Sequence, residues 1–422
     1  MSPRPALARL PLRVGALARG VGIGVVVGAA AGLASALFLT LLELVTDIRT
    51  ADHRWVWALP LGGWAIGWVY ARWGAPIRGG HDLILDTIHD DGPRLPLRMA
   101  PMVLVGSILT HLFGGSAGRE GTAVQMGASL ADEFGHRLGF DRGELRRDVL
   151  AAGMAGGFGS VFGTPVAGAI FGLEVRTPGR LDLGPLVPAL SAAVCGDLVV
   201  RALGVGHARY PTVAPLSLEP LLIGRWLLFA VLIAAVTVGF IRLLHAVKTH
   251  MARRIPALPW RMAFGGLLIV ILWRIVGDDR FLGLGVPTIL QAFDDATMPA
   301  WTFAGKLLFT VITLGSGYLG GEVTPLFFIG ATLGNALAAP LDLPLAMAAA
   351  VGMAAVFGVA ANTPIALVLM AAELVGVHVL PHALIVMTIA WLLGGHRGIY
   401  GAQRLWRDKS GRPLPDATRL SP

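Results

Sequence analysis

An all-α, multi-pass membrane protein built from two inverted-topology repeats, with broken and tilted helices, is the fold class that this sequence predicts. Three observations carry the prediction. Of 422 residues, 55% are hydrophobic and only 14% charged, with a mean hydropathy of +0.69, whereas soluble domains carry about 25% charged residues. Apolar runs near the length of about 20 residues that a spanning helix needs alternate with much shorter ones, cut by the chain's 56 glycines and 27 prolines. Broken helices at membrane depth are tolerated only where protein buries them or a cavity runs past them, which favours a transporter or channel over a simple anchor.

The third observation is internal repetition. Gly153-Met154-Ala155, Phe158-Gly159 and Thr164-Pro165 recur as Gly352-Met353-Ala354, Phe357-Gly358 and Thr363-Pro364, and Glu174 recurs as Glu373, each 199 positions on. Gly118, Gly127, Ala128 and Leu130 correspond to Gly321, Gly330, Ala331 and Leu333 at an offset of 203, a register that aligns Glu120 with Val323. Paired helix breaks in such repeats point to a transporter site at the midplane, where half-helix N-termini converge on an anion.

In chain order, residues 1–19 form a basic segment with Arg4, Arg9, Arg13 and Arg19. The first repeat spans 20–205. It opens with the run Gly20 to Val45, whose Gly- and Ala-rich stretch suits close helix packing, and continues through Trp55 to Tyr70. A glycine break from Pro76 to Asp82 leads into a short helix from Leu83 to Ile88; the run Pro101 to Phe113 leads into a second break, Gly114 to Thr122. A helix from Ala123 to about Phe134, a basic loop, the short segments Val149 to Phe162 and Pro165 to Val175, and the run Leu186 to Leu203 complete the repeat. The connecting loop 206–220 reads as periplasmic, and its ionisable residues His207, Arg209 and Glu219 are too scattered to suggest a site. The second repeat, 221–404, begins with the runs Leu221 to Leu243 and Met262 to Val276, and 405–422 is a short tail.

Charge sets the orientation. Arg137, Arg142, Arg146 and Arg147 in one loop, Arg242, Lys248, Arg253 and Arg254 in another, and Arg404, Arg407, Lys409 and Arg412 near the end mark one face as cytoplasmic and place both termini there. The net charge of +8 is spread over these loops, so no nucleic-acid surface is expected. The first apolar run is too long for a removable signal peptide and lacks a cleavage site. A lone Cys195 excludes an intramolecular disulfide and suggests no cysteine-based metal site. The pairs His81-Asp82 and His89-Asp90 allow an intramembrane metal-dependent enzyme as a remote rival, but no third ligand cluster accompanies them. No enzyme, cofactor or metal is therefore expected.

The stretch Gly114-Gly115-Ser116-Ala117-Gly118-Arg119-Glu120-Gly121-Thr122 organises the chain. Glycines let the backbone turn and expose its N–H groups, and the helix that follows puts an anion-attracting N-terminus there. A carboxylate at that end competes with a dissolved anion for the same N–H groups, and protonation removes it from the contest. Glu120 is thus a candidate gate; the alternative is a glutamate that merely caps a helix. Burying an anion costs several kcal/mol, whereas one helix end returns about 0.3 to 2 kcal/mol. Several ends must converge, and the sequence offers breaks near His81, Glu120, Val323 and Tyr400.

Gly118-Arg119-Glu120-Gly121, Gly320-Gly321-Glu322-Val323-Thr324-Pro325, the repeated Thr-Pro segments and Tyr400 resemble the CLC family of anion channels and transporters, from roughly Gly20 to Arg404. Within it, Thr122, where chloride members usually carry Pro, and the Gly-Gly-Glu-Val-Thr-Pro motif look like the fluoride-selective bacterial branch. The resemblance implies a CLC-like homodimer in the inner membrane with one anion pathway per subunit, exchanging fluoride for protons and exporting fluoride, with Glu120 as protonatable gate. A chloride/proton exchanger or a passive anion channel of the same family is the alternative.

Carried over residue by residue, Val323 and Thr324 would line the anion site through backbone and side chain, Tyr400 would offer its hydroxyl, and His81 and Gly121 would complete the lining. Gly118, Arg119, Gly321 and Glu322 would support it. Read without the family, the alternatives are an interfacial aromatic for Tyr400, an N-cap before Pro325 for Thr324, which is compatible with function, and plain core for Val323. Glu322, an ionisable residue within a membrane segment, is functional or paired, with Arg119 as its partner or as a brace for the gate loop; Lys306 is expected to snorkel at a helix end. This chain departs from the family pattern twice. His81 stands where chloride members have Ser and the fluoride branch Met or Asn, so it donates to an anion, titrates or caps the following helix. Val175 stands where chloride exchangers carry an inner proton-transfer Glu, so protons take another inner route or Glu120 swings far enough to meet both sides.

Overall fold

The computed structural model describes residues 10–90, 92–140, 142–409 and 411–420; Arg4 and Arg9 of the expected basic segment, and the last two residues of the tail, lie outside these. The first half folds as α1 (Leu10–Ala51), α2 (Arg54–Trp57), α3 (Leu59–Trp73), α4 (His81–Asp90), α5 (Met99–Leu112), α6 (Glu120–Arg137), α7 (Gly143–Phe162), α8 (Pro165–Glu174) and α9 (Leu186–Ala202). The second folds as α10 (Pro220–Arg254), α11 (Leu258–Val276), α12 (Val286–Gln291), α13 (Thr302–Gly315), α14 (Val323–Ala338), α15 (Leu345–Ala361), α16 (Pro364–Val375) and α17 (Leu380–Leu393). The tail forms an antiparallel hairpin, β1 (Arg404–Arg407) with β2 (Pro413–Arg419), in an otherwise helical chain.

Helix α1 starts inside the expected basic segment, because nothing between Arg13 and Gly20 breaks it and arginine is a good helix former. Among the described residues only α1, α10 and α11 are long and apolar enough to cross a membrane alone. The runs Trp55 to Tyr70, Pro101 to Phe113 and Leu186 to Leu203 give helices of 15, 14 and 17 residues in α3, α5 and α9. Short helices of this kind bring their ends, rather than their flanks, to the middle of the molecule. Arg146, read as a loop charge, is buried at the start of α7, its Nε 2.9 Å from Asp132 Oδ1 and its other nitrogens donating to the carbonyls of Gly92 and Pro93.

Both repeat registers are visible as contacts. In the first half α6 crosses α7 where a Cβ on Gly127 would lie 2.2 Å from the Gly153 carbonyl oxygen; in the second, α14 crosses α15 where a Cβ on Gly330 would lie 2.2 Å from that of Gly352. The glutamates of the repeat reach across to the other half. Glu174, at the end of α8, accepts from the N–H groups of Ile365 and Ala366 at 3.0 and 2.8 Å, and Glu373, near the end of α16, accepts from Val166 and Ala167 at the same distances. Each carboxylate caps the orphan donors at the other helix's N-terminus. Such reciprocity follows from a two-fold relation between the halves.

The glycine crossings should be the least tolerant positions. Gly330→Ala is expected to lower stability by about 1 to 3 kcal/mol through overpacking, seen as a lower thermal unfolding midpoint, whereas Gly15→Ala in α1, with nothing within 4 Å of the added Cβ, should not lower it.

Candidate anion site

The two central breaks are tied together by their glycines. Gly118 N–H donates to Gly321 O at 2.6 Å and Gly321 N–H to Gly118 O at 2.8 Å, an isolated antiparallel bridge between the two residues that the repeat register pairs. The bridge holds the N-termini of α6 and α14 side by side. Side chains are excluded from it: a Cβ on Gly118 would come within 2.9 Å of Gly321 O and of Glu120 Oε2, and Gly320 has φ +145°. Gly121 is equally confined, since a Cβ there would lie 2.9 Å from the Cα of Gly321 and 3.1 Å from Cε1 of His81.

Glu120 is the first residue of α6 and is fully buried. Its Oε1 accepts the Thr324 hydroxyl at 2.5 Å, and its Oε2 accepts the N–H groups of Thr324 at 3.2 Å and Arg119 at 3.1 Å. Thr324 is the second residue of α14, so its N–H is one of the donors that a helix leaves unpaired. The carboxylate therefore takes up free donors at the N-terminus of α14. Arg119 pairs with Glu120, its Nε 3.5 Å from Oε1, and not with Glu322: adjacent in sequence, the two side chains turn to the same side of the bridge. Val323 opens α14 and is buried, but the hydrogen bonds to the carboxylate run to its neighbour.

Cavities lie on both sides. One of about 260 Å3 is lined by His81, Tyr400 and Glu322 together with the cations Arg78, Lys248 and Arg261. His81 begins α4 itself, two residues earlier than the helix expected from Leu83, and its ring stacks on Tyr400 with centroids 4.9 Å apart. His81 Nε2 and Tyr400 Oη are both buried with no hydrogen-bond partner among the described residues. Buried polar atoms in that state are rare, and two beside one another suit an anion that accepts from both. The other cavity, about 390 Å3, is walled by Arg119, Glu43, Asp47 and His207. His207, dismissed with its loop, thus reaches a cavity wall, its ring Nε2 2.8 Å from Ser160 O.

Tyr400 does not precede a helix, so the fourth break supplies a hydroxyl and no helix end; the chain passes instead into β1. The segment is fixed from outside. Asp82 accepts the N–H of Ala402 at 3.0 Å, Ile399 donates to Ala360 O at 2.9 Å, and the Gln403 side-chain amide donates to the carbonyls of Val175 and Ala361, each at 2.7 Å. The His-Asp pairs serve such anchoring: Asp82 as just described, His89 against the Arg176 carbonyl at 3.0 Å, and Asp90 against Arg404. Among the described residues no three His, Cys, Asp or Glu side chains form a metal-ligand set. Lys306 does not snorkel. It is fully buried in α13, donating to the carbonyls of Phe281 at 3.2 Å and Gly283 at 2.6 Å, with its ammonium 5.2 Å from the Phe328 ring centroid.

The family model for voltage gated chloride channels matches residues 62–395. The chain belongs to the CLC family. Among CLC proteins it is 46% identical to the "Chloride/fluoride channel protein" of Pseudomonas syringae pv. tomato, over 96% of this chain and 90% of the other. It is 27% identical to the H(+)/Cl(-) exchange transporter ClcA of Vibrio cholerae, over 88% of this chain and 86% of the other. A solved CLC-type fluoride/proton antiporter superposes with a TM-score of 0.89 at 33% identity, over 92% of this chain and 98% of that one. A slow cyanobacterial Cl-/H+ antiporter superposes at 0.77 and 23% identity, over 89% and 94%, a likeness of fold. The activity class of this CLC chain is accordingly anion and proton transport in a membrane, and the family is one of transporters and channels, not enzymes.

Tyr400→Phe removes one donor and leaves the stack on His81. It is expected to weaken anion binding by roughly ten- to a hundredfold, the worth of a hydrogen bond to a charged group, measurable by calorimetric titration of the purified protein with fluoride.

Proposed function

We propose that this chain is a fluoride/proton antiporter that exports fluoride from the cytoplasm, a homodimer in the inner membrane with one pathway per subunit and both termini cytoplasmic. The observation that supports the reading best is the seat of Glu120: its carboxylate takes the N–H and hydroxyl of Thr324, the donors that a permeating anion needs. Ionised Glu120 closes the pathway by occupying them. A proton arriving through the cavity at Arg119, Glu43 and Asp47 neutralises the carboxylate, which then binds those donors less well than an anion does. Fluoride, drawn to the opposite cavity by Arg78, Lys248 and Arg261, passes the unpaired donors of His81 and Tyr400 and takes the carboxylate's place at Thr324. Each exchange couples one anion's advance to the gate's protonation.

Glu322 completes the proton path in this account. It lines the inner cavity, has no ion-pair partner among the described residues, and neighbours Val323 at the same helix end. It takes the part that Val175 cannot. Fluoride, the most tightly hydrated halide, gains most from a site with hydroxyl and N–H donors packed close, and the names of the relatives at 46% and 33% identity both include fluoride. Chloride/proton exchange, the activity in the name of the relative at 27% identity, is the second reading.

In proteoliposomes, a fluoride gradient is expected to drive protons uphill in the opposite direction, and Glu120→Gln is expected to abolish that proton movement; coupling unchanged in this variant would remove Glu120 from the gate. Equal or better coupling with chloride would favour the second reading. Val323→Gly, which removes bulk beside the Thr324 donor, should raise chloride flux relative to fluoride, and an unaltered preference would refute that packing account.

A further inference from the structure

A third cavity, on the face that carries the C-terminal hairpin, shares none of the lining of the two described above. Its volume is about 450 Å3, and its walls come from the end of α4, the start of α7, the segment after α8, and β1. Arg147, Arg176, Arg180 and Arg404 line it, with Asp182 as the one lining carboxylate. Asp182 is engaged by Arg176 at 2.8 Å, and Arg404 pairs with Asp90 at the rim. Arg147 and Arg180 have no ion pair among the described residues. The Nε atoms of Arg147, Arg176 and Arg404 are buried without an acceptor, and Arg176 is only 5% exposed.

We propose that this cavity binds a phosphate group. Asp182 and Asp90 engage Arg176 and Arg404, so Arg147 and Arg180 leave an excess of positive charge that favours an anion with several acceptor oxygens. A halide is too small to serve four forks across 450 Å3, whereas a phosphate presents tetrahedral oxygens that arginine binds in bidentate fashion. The phosphate is either free in solution or carried on the headgroup of an anionic lipid, since basic pockets at helix ends on one membrane face suit both. Binding would also brace the pathway. Helix α4 runs from His81 in the anion site to His89 at this cavity, and Arg404 lies four residues beyond Tyr400. The bound phosphate therefore holds the far ends of the two segments that carry the stacked donors.

The test is thermal unfolding of the full chain in neutral detergent, titrated in one arm with inorganic phosphate and in the other with phosphatidylglycerol. Sodium gluconate at matched ionic strength serves as the control. The expected result is a rise in the unfolding midpoint in at least one arm, with Arg147→Gln/Arg180→Gln needing about tenfold more ligand for the same rise. A response to phosphate identifies a soluble ligand; a response to phosphatidylglycerol alone identifies a lipid headgroup. Should the double variant fold poorly, Arg180→Gln, at an exposed position, replaces it. No rise in either arm, an equal rise with sodium gluconate, or an unshifted titration in the variant would overturn the proposal.

Discussion

Holding a bare anion at membrane depth is the constraint on which the rest of this chain depends. Dehydration costs several kcal/mol, and no single helix end repays it. The chain answers chiefly with geometry, with Arg119 as the one cation paired to Glu120 among the described residues. The ends of α6 and α14 are brought together by the two hydrogen bonds between Gly118 and Gly321, and His81 at the start of α4 adds a ring nitrogen beneath them. The N–H groups of Arg119 and Thr324 and the Thr324 hydroxyl, which meet the Glu120 carboxylate, are donors that keep their protons at any physiological pH.

The same constraint explains the shape of the fold. Ends can meet at the centre only if helices stop there, so α5, α6, α13 and α14 are short or begin midway, and the glycine crossings at Gly127 and Gly330 let them lie close enough to converge. The exchanged caps from Glu174 and Glu373 lock the α8 and α16 ends across the two-fold relation. Buried Glu174 and exposed Glu373 alike are thus occupied in capping.

What the sequence made legible was whatever is local or repeated. The breaks at Glu120 and Val323, the register pairing Gly118 with Gly321, and the split at Gly163-Thr164 were readable because glycines, prolines and capping glutamates recur at fixed offsets. What was not legible depends on distant contacts. Gly398 to Gly401 resembles the other glycine breaks, but the chain there enters a hairpin, and the residues around Tyr400 are held by Asp82, Val175, Ala360 and Ala361 from remote parts of the sequence. The sequence left Arg119 between partnering Glu322 and bracing the gate loop, because the bridge that turns it toward Glu120 is itself a long-range contact. Lys306 looked like a helix-end lysine; only the fold reveals the carbonyls of Phe281 and Gly283 that satisfy its ammonium.

The central claim is that Glu120 and the anion compete for the donors of Thr324. Its most direct test is to add fluoride to the purified protein in weakly buffered solution near neutral pH and follow proton uptake as the anion binds. Competition predicts that fluoride binding is accompanied by net proton uptake in the wild type and that Glu120→Gln binds fluoride without it. Fluoride binding to the wild type with no proton uptake would contradict the account, because the carboxylate would then have yielded its place without taking a proton.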